Sequence, residues 1–150
     1  MAKFPETILV ATDGSEDSEL SIHRAIDLAG ETDAALHLAY VLVISHWRVP
    51  DTLSDAQLKR LKDEAQSRLD QQAEKARAAG ADTLQSHLRI GRRADEEILK
   101  LSEEIEADMI VVGSRGHGTI NRALMGNDAE SIVRHADCPV LVVRNYGNGS

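Results

Sequence analysis

The chain has 150 residues, with 17 basic and 25 acidic side chains and a formal net charge of −8. That field repels a phosphate backbone or an anionic membrane, which excludes nucleic acid and membrane surfaces as partners unless a local basic patch overrides it. A single cysteine, Cys138, excludes an internal disulfide framework, and no apolar run nears the ~18 residues needed to span a bilayer.

Met1 to Pro5 meets Glu6 at once and has no apolar signal region, so a soluble cytoplasmic protein is the expectation. Thr7 to Thr12 (TILVAT) reads as a first strand that ends in the turn Asp13-Gly14-Ser15. Ile22, Ala25, Ile26 and Ala29 then recur at helical spacing, with Gly30 as the stop. Ala34 to Ile44 is the second strand, and His46 to Leu53, with Pro50, is a loop. Ser54 and Gln57 form a capping-box pattern for a long helix. Its stripe is Leu58, Leu61, Ala65, Leu69, Ala73 and Ala76, and Gly80 ends it.

Thr83 to Ile90 is a third strand, closed by Gly91, and Asp95 to Glu106 is a helix with Ile98, Leu101 and Ile105 on one face. Met109 to Val112 is strand four, Ala129 to Ala136 the last helix and Val140 to Arg144 strand five, before a polar tail, Asn145 to Ser150. Strands and helices alternate throughout. The fold class is therefore α/β, a single doubly wound domain over residues 1–150 with a parallel sheet and helices on both faces. Only one Trp, one Phe and two Tyr are present, so Val, Ile, Leu and Ala must fill the core. In such sheets a ligand sits beyond the carboxyl ends of the strands, where the strand order reverses. With strand one central, that crevice lies between strands one and four.

Strand four runs straight into Gly113-Ser114-Arg115-Gly116-His117-Gly118, and Gly126 then opens the last helix. Glycines after a strand let backbone N–H groups approach a ligand, and the first turn of a helix offers unpaired N–H groups to a phosphate. Strand, glycine loop and helix N-terminus together read as a nucleotide phosphate site. Asp13 converges on it from strand one.

At these residues the chain resembles the universal stress protein family over nearly its whole length. Gly113, Gly116 and Gly126 fit the Gly-x-x-Gly, nine residues, Gly spacing of the nucleotide-binding branch, and Thr12-Asp13-Gly14-Ser15 and Cys138-Pro139-Val140-Leu141-Val142-Val143 also match. The resemblance implies a five-stranded parallel sheet in the order 3-2-1-4-5 and a homodimer joined through strand five, Val140, Leu141, Val142 and Val143. It implies ATP, or ADP or AMP, as the ligand. Val41 would meet the adenine edge through its backbone, beside Ala11 and Thr12 at the end of strand one. Asp13 would take the ribose hydroxyls or a Mg²⁺ on the phosphates; the alternative is a turn carboxylate that bonds its own backbone. Val112 and Gly113, with Gly116 and Gly126, would cradle the phosphates, and Arg115 either pairs with phosphate oxygens or is a solvated loop charge.

One departure stands out. The nucleotide-binding pattern has Ser or Thr after the last glycine, and this chain has Asn127 followed by Asp128. Asn127 still offers a side-chain N–H to a phosphate oxygen. Asp128 either repels a phosphate, at a cost of roughly 3 kcal/mol for ~5 Å and an effective dielectric of ~20, or it simply steadies the helix dipole. His23, His37, His46, His87 and His135 show no metal-ligand spacing, and no Gly-x-Ser-x-Gly elbow or paired carboxylates supply catalysis. Three functions remain: an adenine-nucleotide-binding regulatory dimer, a stress protein that acts through an unidentified protein partner without nucleotide, or a slow Mg²⁺-dependent ATP hydrolase. A response regulator would need an acceptor Asp at the end of strand three, where the chain has Ile90-Gly91-Arg92. A dinucleotide fold would need its glycine fingerprint after strand one, and neither fits.

Overall fold

The computed structural model describes residues 3–44, 54–114 and 127–144; the expected loop His46 to Leu53 and the tail Asn145 to Ser150 lie outside them. The chain runs β1 (Thr7–Thr12), α1 (Glu16–Thr32), β2 (Ala35–Val43), α2 (Asp55–Ala78), β3 (Gln85–Gly91), α3 (Ala94–Glu104), β4 (Met109–Gly113), α4 (Asn127–His135) and β5 (Val140–Val143). All four strand pairings are parallel, and the five strands lie in the order β3-β2-β1-β4-β5.

Local chemistry explains most boundaries. Ser54 Oγ accepts from Gln57 N and Gln57 Oε1 accepts from Ser54 N, so the capping box opens α2 as its spacing predicts. Gly80, at φ +124°, lies beyond its end. Gly30 does not stop α1. An exposed helical glycine costs only about 1 kcal/mol, and the chain turns instead at Asp33, whose φ of 57° is one that Asp tolerates. Thr83 also falls outside β3, because Leu84 N bonds Ala81 O in a turn and its side chain is buried. α3 stops at Glu104, where Ile105 caps it and Glu106 takes φ +54°.

Strand alternation sorts the core into two layers. Ile8, Val10, Leu36, Leu38, Tyr40 and Val111 face one side, under α1 (Ile22, Ala25) and α2 (Ala65, Leu69, Ala73, Ala76). Leu9, Ala39, Ile110 and Val112 face the other, under α3 (Ile98, Leu101) and α4 (Ala129, Ile132). At the foot of the sheet the Asp108 carboxylate accepts from Glu6 N and Thr7 N, which pins the start of β1 beside β4. At the opposite end the seam opens. β1 pairs with β4 only as far as Val10↔Val111, although β1 stays paired with β2 through Thr12↔Tyr40 and β4 with β5 through Gly113↔Val143.

His37 on β2 and His87 on β3 share the α3 face, since His87 lies opposite Ala39 in the register. Their rings stack with centroids 5.1 Å apart, and His37 Nδ1 lies 2.9 Å from His87 Nε2. Such a contact holds one proton, not two. Burial lowers both pKa values; for His87 the charge of His37 and that of Arg89 add to this, while Glu104, which is paired with Arg89, opposes it. A lowered folded value means that the unfolded chain binds more protons, so stability is full above about pH 6.5 and is lost as pH falls through the folded values. Urea unfolding between pH 7.5 and 5.5 should therefore show falling stability, with a shallower slope in His87→Gln. Equal slopes in both proteins would contradict the assignment.

Candidate functional site

The open seam between β1 and β4 is the site's frame. On the β1 side, Ala11 and Thr12 stand above the last shared rung, and the chain turns at Gly14 with φ +83°, a conformation that suits glycine. Asp13 Oδ1 accepts from Ser15 N at 2.9 Å and from Ser15 Oγ at 2.5 Å. Ser15 is also the N-cap of α1, accepting from Ser18 N. The carboxylate thus closes a turn over a helix N-terminus with one oxygen, and Oδ2 takes no part in these two bonds. Both expected roles of Asp13 are compatible, since the turn holds the side chain and leaves an acceptor.

Thr12 is buried, and its Oγ1 donates to Gln72 Oε1 at 2.6 Å, accepts from Gly14 N at 3.1 Å and lies 2.7 Å from Ser18 Oγ. Its side chain is thereby committed to structure, which leaves its backbone for any ligand. Val41 lies in the last third of β2, opposite Arg89, with its side chain packed against the second core layer.

On the β4 side, Val112 is buried and Gly113 is the last paired residue. Ser114 N is taken by Val143 O at 2.9 Å, so the first amide of the glycine loop extends the pairing with β5 and does not point to a ligand. Arg115, Gly116, His117, Gly118 and Gly126 lie outside the described residues. Asn127 and Asp128 open α4, two residues before the expected start at Ala129.

A polar clamp joins the first turns of α3 and α4. Asp95, 3% exposed, accepts from Arg93 Nε at 3.0 Å, Arg93 Nη2 at 2.8 Å and Ser131 Oγ at 2.5 Å. Burial by itself pushes the Asp95 carboxyl up, but the bonds from Arg93, Ser131 and Glu96 N outweigh it and hold it below the usual range. Arg93 in turn has its pKa raised by Asp95 first, and also by the charges of Glu96 and Asp128. A guanidinium therefore stands within electrostatic reach of Asp128. Among the described residues no group of three His, Cys, Asp or Glu could hold a metal ion, and no helix is long and apolar enough to cross a membrane. Cys138 is half-buried, and its thiol is pushed up by burial and by Asp108 and Asp137, which keeps it protonated and unreactive.

Residues 5–144 match the model of the universal stress protein family. The chain belongs to that family. A universal stress protein of Staphylococcus aureus (strain USA300) is 35% identical over 142 residues, covering 93% of this chain and 84% of its own. The crystal structure of a universal stress protein in complex with cAMP is 28% identical, with a TM-score of 0.71, and the alignment covers 92% of this chain and 96% of that one. The structure of the hypothetical protein MJ0577 is 22% identical with a TM-score of 0.82, covering 95% and 98% of the two chains, and shares the fold.

In this universal stress protein the residues that sequence reasoning missed are the polar ones that meet across long separations. Gln72 carried a signal, an amide inside the apolar stripe of α2. Asp95 and Ser131 carried none, because their contact depends on how two helices sit side by side. The Asp95 charge contributes stability that is full above the ordinary carboxylate range and is lost as pH falls through its lowered folded value. Asp95→Asn should lower the unfolding free energy by about 2 kcal/mol at neutral pH. Urea titrations should show that gap closing as the pH approaches about 3. A gap that stays constant with pH would assign the loss to packing alone.

Proposed function

We propose that this universal stress protein binds an adenine nucleotide between the diverging ends of β1 and β4, and acts as a cytoplasmic regulatory binding module without dedicated catalysis. The early end of the β1–β4 ladder, at Val10↔Val111, carries this reading. It leaves backbone at Ala11, Thr12, Val112 and Gly113 beside a cleft at the point where the sheet order reverses. The spacing of Gly113, Gly116 and Gly126 and the similarity to a cAMP-bound universal stress protein support it. In this arrangement the Val41 backbone meets the adenine edge, Asp13 takes the ribose, and Gly113, Arg115, Gly116, Gly126 and Asn127 surround the phosphates. A Mg²⁺, if used, would ride on those phosphates with Asp13 as one ligand. Slow ATP hydrolysis needs that ion, and action through a protein partner without nucleotide needs neither.

Asp128 lies at the start of α4 with Arg93 within electrostatic reach, and if its carboxylate faces the phosphates it repels a triphosphate more than a monophosphate. Mass spectrometry of the native purified protein should find AMP, ADP or ATP, and calorimetry should give Gly116→Val at least tenfold weaker binding, with Asp128→Ala tightening ATP more than adenosine. Unchanged affinity in Gly116→Val would remove the site assignment.

The same reading includes a homodimer. Among the described residues β5 pairs with β4 on one side only, and Leu141 on it and Val133 on α4 are 38% and 47% exposed. An apolar edge of this kind invites a second strand, and a two-fold axis satisfies it with the Val140–Val143 run of another copy. Light scattering at micromolar concentration should give twice the chain mass, and Val142→Pro, which removes one ladder N–H, should yield monomer or aggregate. A monomer mass for the wild type would refute the interface.

A further inference from the structure

We propose that Gln72, far from the cleft in sequence and carried by a helix of the back layer, is a positioning residue for the nucleotide site: through the Thr12 hydroxyl it sets the turn that carries Asp13. The inference rests on the nucleotide reading above. Gln72 is 7% exposed and interrupts a stripe made otherwise of Ala65, Leu69, Ala73 and Ala76. An amide placed there costs free energy unless it is hydrogen-bonded. Its bond is to Thr12, 60 residues earlier, with 2.6 Å between Thr12 Oγ1 and Gln72 Oε1.

The Thr12 hydroxyl is where the turn converges. Gly14 N donates to it, Ser18 Oγ touches it, and Ser18 Oγ donates to Ser15 O at 2.7 Å. Every one of these other partners is local to the turn or to the first turn of α1. Among the described residues, Gln72 is the side chain from another part of the chain that hydrogen-bonds into this knot. Gly14 sits at positive φ, and its N–H is held by the same Thr12 hydroxyl. Without the amide the Thr12 hydroxyl loses its anchor on α2, and the turn gains freedom that Asp13 shares. α2 packs chiefly on β2 and β3, away from the β1–β4 seam, and Gln72 gives it reach to the cleft.

Gln72 also lines a groove of about 130 Å³ between α1 and α2, bounded by Ile22, Ile26, Lys75 and Ala76. The unbranched side chain of Gln72→Met has room there, so the variant removes the hydrogen bond without overpacking.

By calorimetry, Gln72→Met should bind AMP about fivefold more weakly, the factor set by about 1 kcal/mol. Hydrogen exchange in the unliganded protein should quicken at Gly14. Gln72→Glu, which keeps an oxygen for the Thr12 hydroxyl, should bind like wild type. Thr12→Val should cost the same fivefold, and adding Gln72→Met to it should cost nothing more. A folded Gln72→Met with wild-type affinity and unchanged Gly14 exchange overturns the proposal, even if its melting temperature falls, because that result describes a core residue only. Should Gln72→Met fail to fold, wild-type affinity in Thr12→Val overturns it equally. A wild type that binds neither AMP nor ATP overturns the nucleotide reading itself and this inference with it, and the wild-type titration tells that failure apart from the others.

Discussion

The ladder between β1 and β4 stops at Val10↔Val111 while each strand runs on with its outer neighbour, and the architecture above the sheet follows from that divergence. The helices that follow the two strands lie on opposite faces of the sheet. After β1 it crosses to α1 over the layer of Ile8, Val10 and Val111, and after β4 it reaches α4 over the layer of Leu9, Ile110 and Val112. Helices that follow neighbouring strands onto opposite faces leave a gap between the strand ends. Both walls stay stiff, since Thr12 remains paired with Tyr40 and Gly113 with Val143.

Charge at the lip of this gap serves two purposes that compete. Asp95, Glu96 and Glu97 occupy the first turn of α3, and Asp128 and Glu130 that of α4. Each steadies its helix dipole, and together they make the neighbourhood of the proposed phosphate site acidic. Arg93 is the counterweight, but its guanidinium is held by Asp95 in a two-point bond, so its charge is shared before a ligand arrives. In the proposed reading, the features that stabilise the two helix ends would thus also set how much negative charge a ligand can bring.

What could be read in the sequence was whatever depends on near neighbours. β1 is bounded as the TILVAT run indicates, the capping box at Ser54 and Gln57 forms, and alternation gives a parallel sheet, whose order β3-β2-β1-β4-β5 is the one the family resemblance implies. Gly30 misled because propensity is a weak term beside the burial of Ile22 and Ala25 on the same helix. The turn at Asp13 was legible as a turn; its tie to Gln72 was not, since no local pattern announces a partner 60 residues away. The stacked pair of His37 and His87 was hidden for the same reason. Neither residue stands at a ligand-like spacing, and only the β2–β3 register brings the rings together.

The cleft is made by where a ladder ends, so its walls are largely ordinary core. Ala11, Val41 and Val112 point their side chains into the second layer, and what they offer a ligand is backbone. Backbone groups survive substitution as long as the strand does, and apolar residues of similar size can replace one another there without altering the frame. In the proposed reading, ligand choice then falls to the few side chains that project from the turns. These are Asp13 on one lip and the residues that open α4 on the other. The fold places the cleft through hydrophobic burial; in the proposed reading a handful of turn residues would decide its occupant, and Gln72 would be the exception, a core position whose hydrogen bond to Thr12 sets one of those turns.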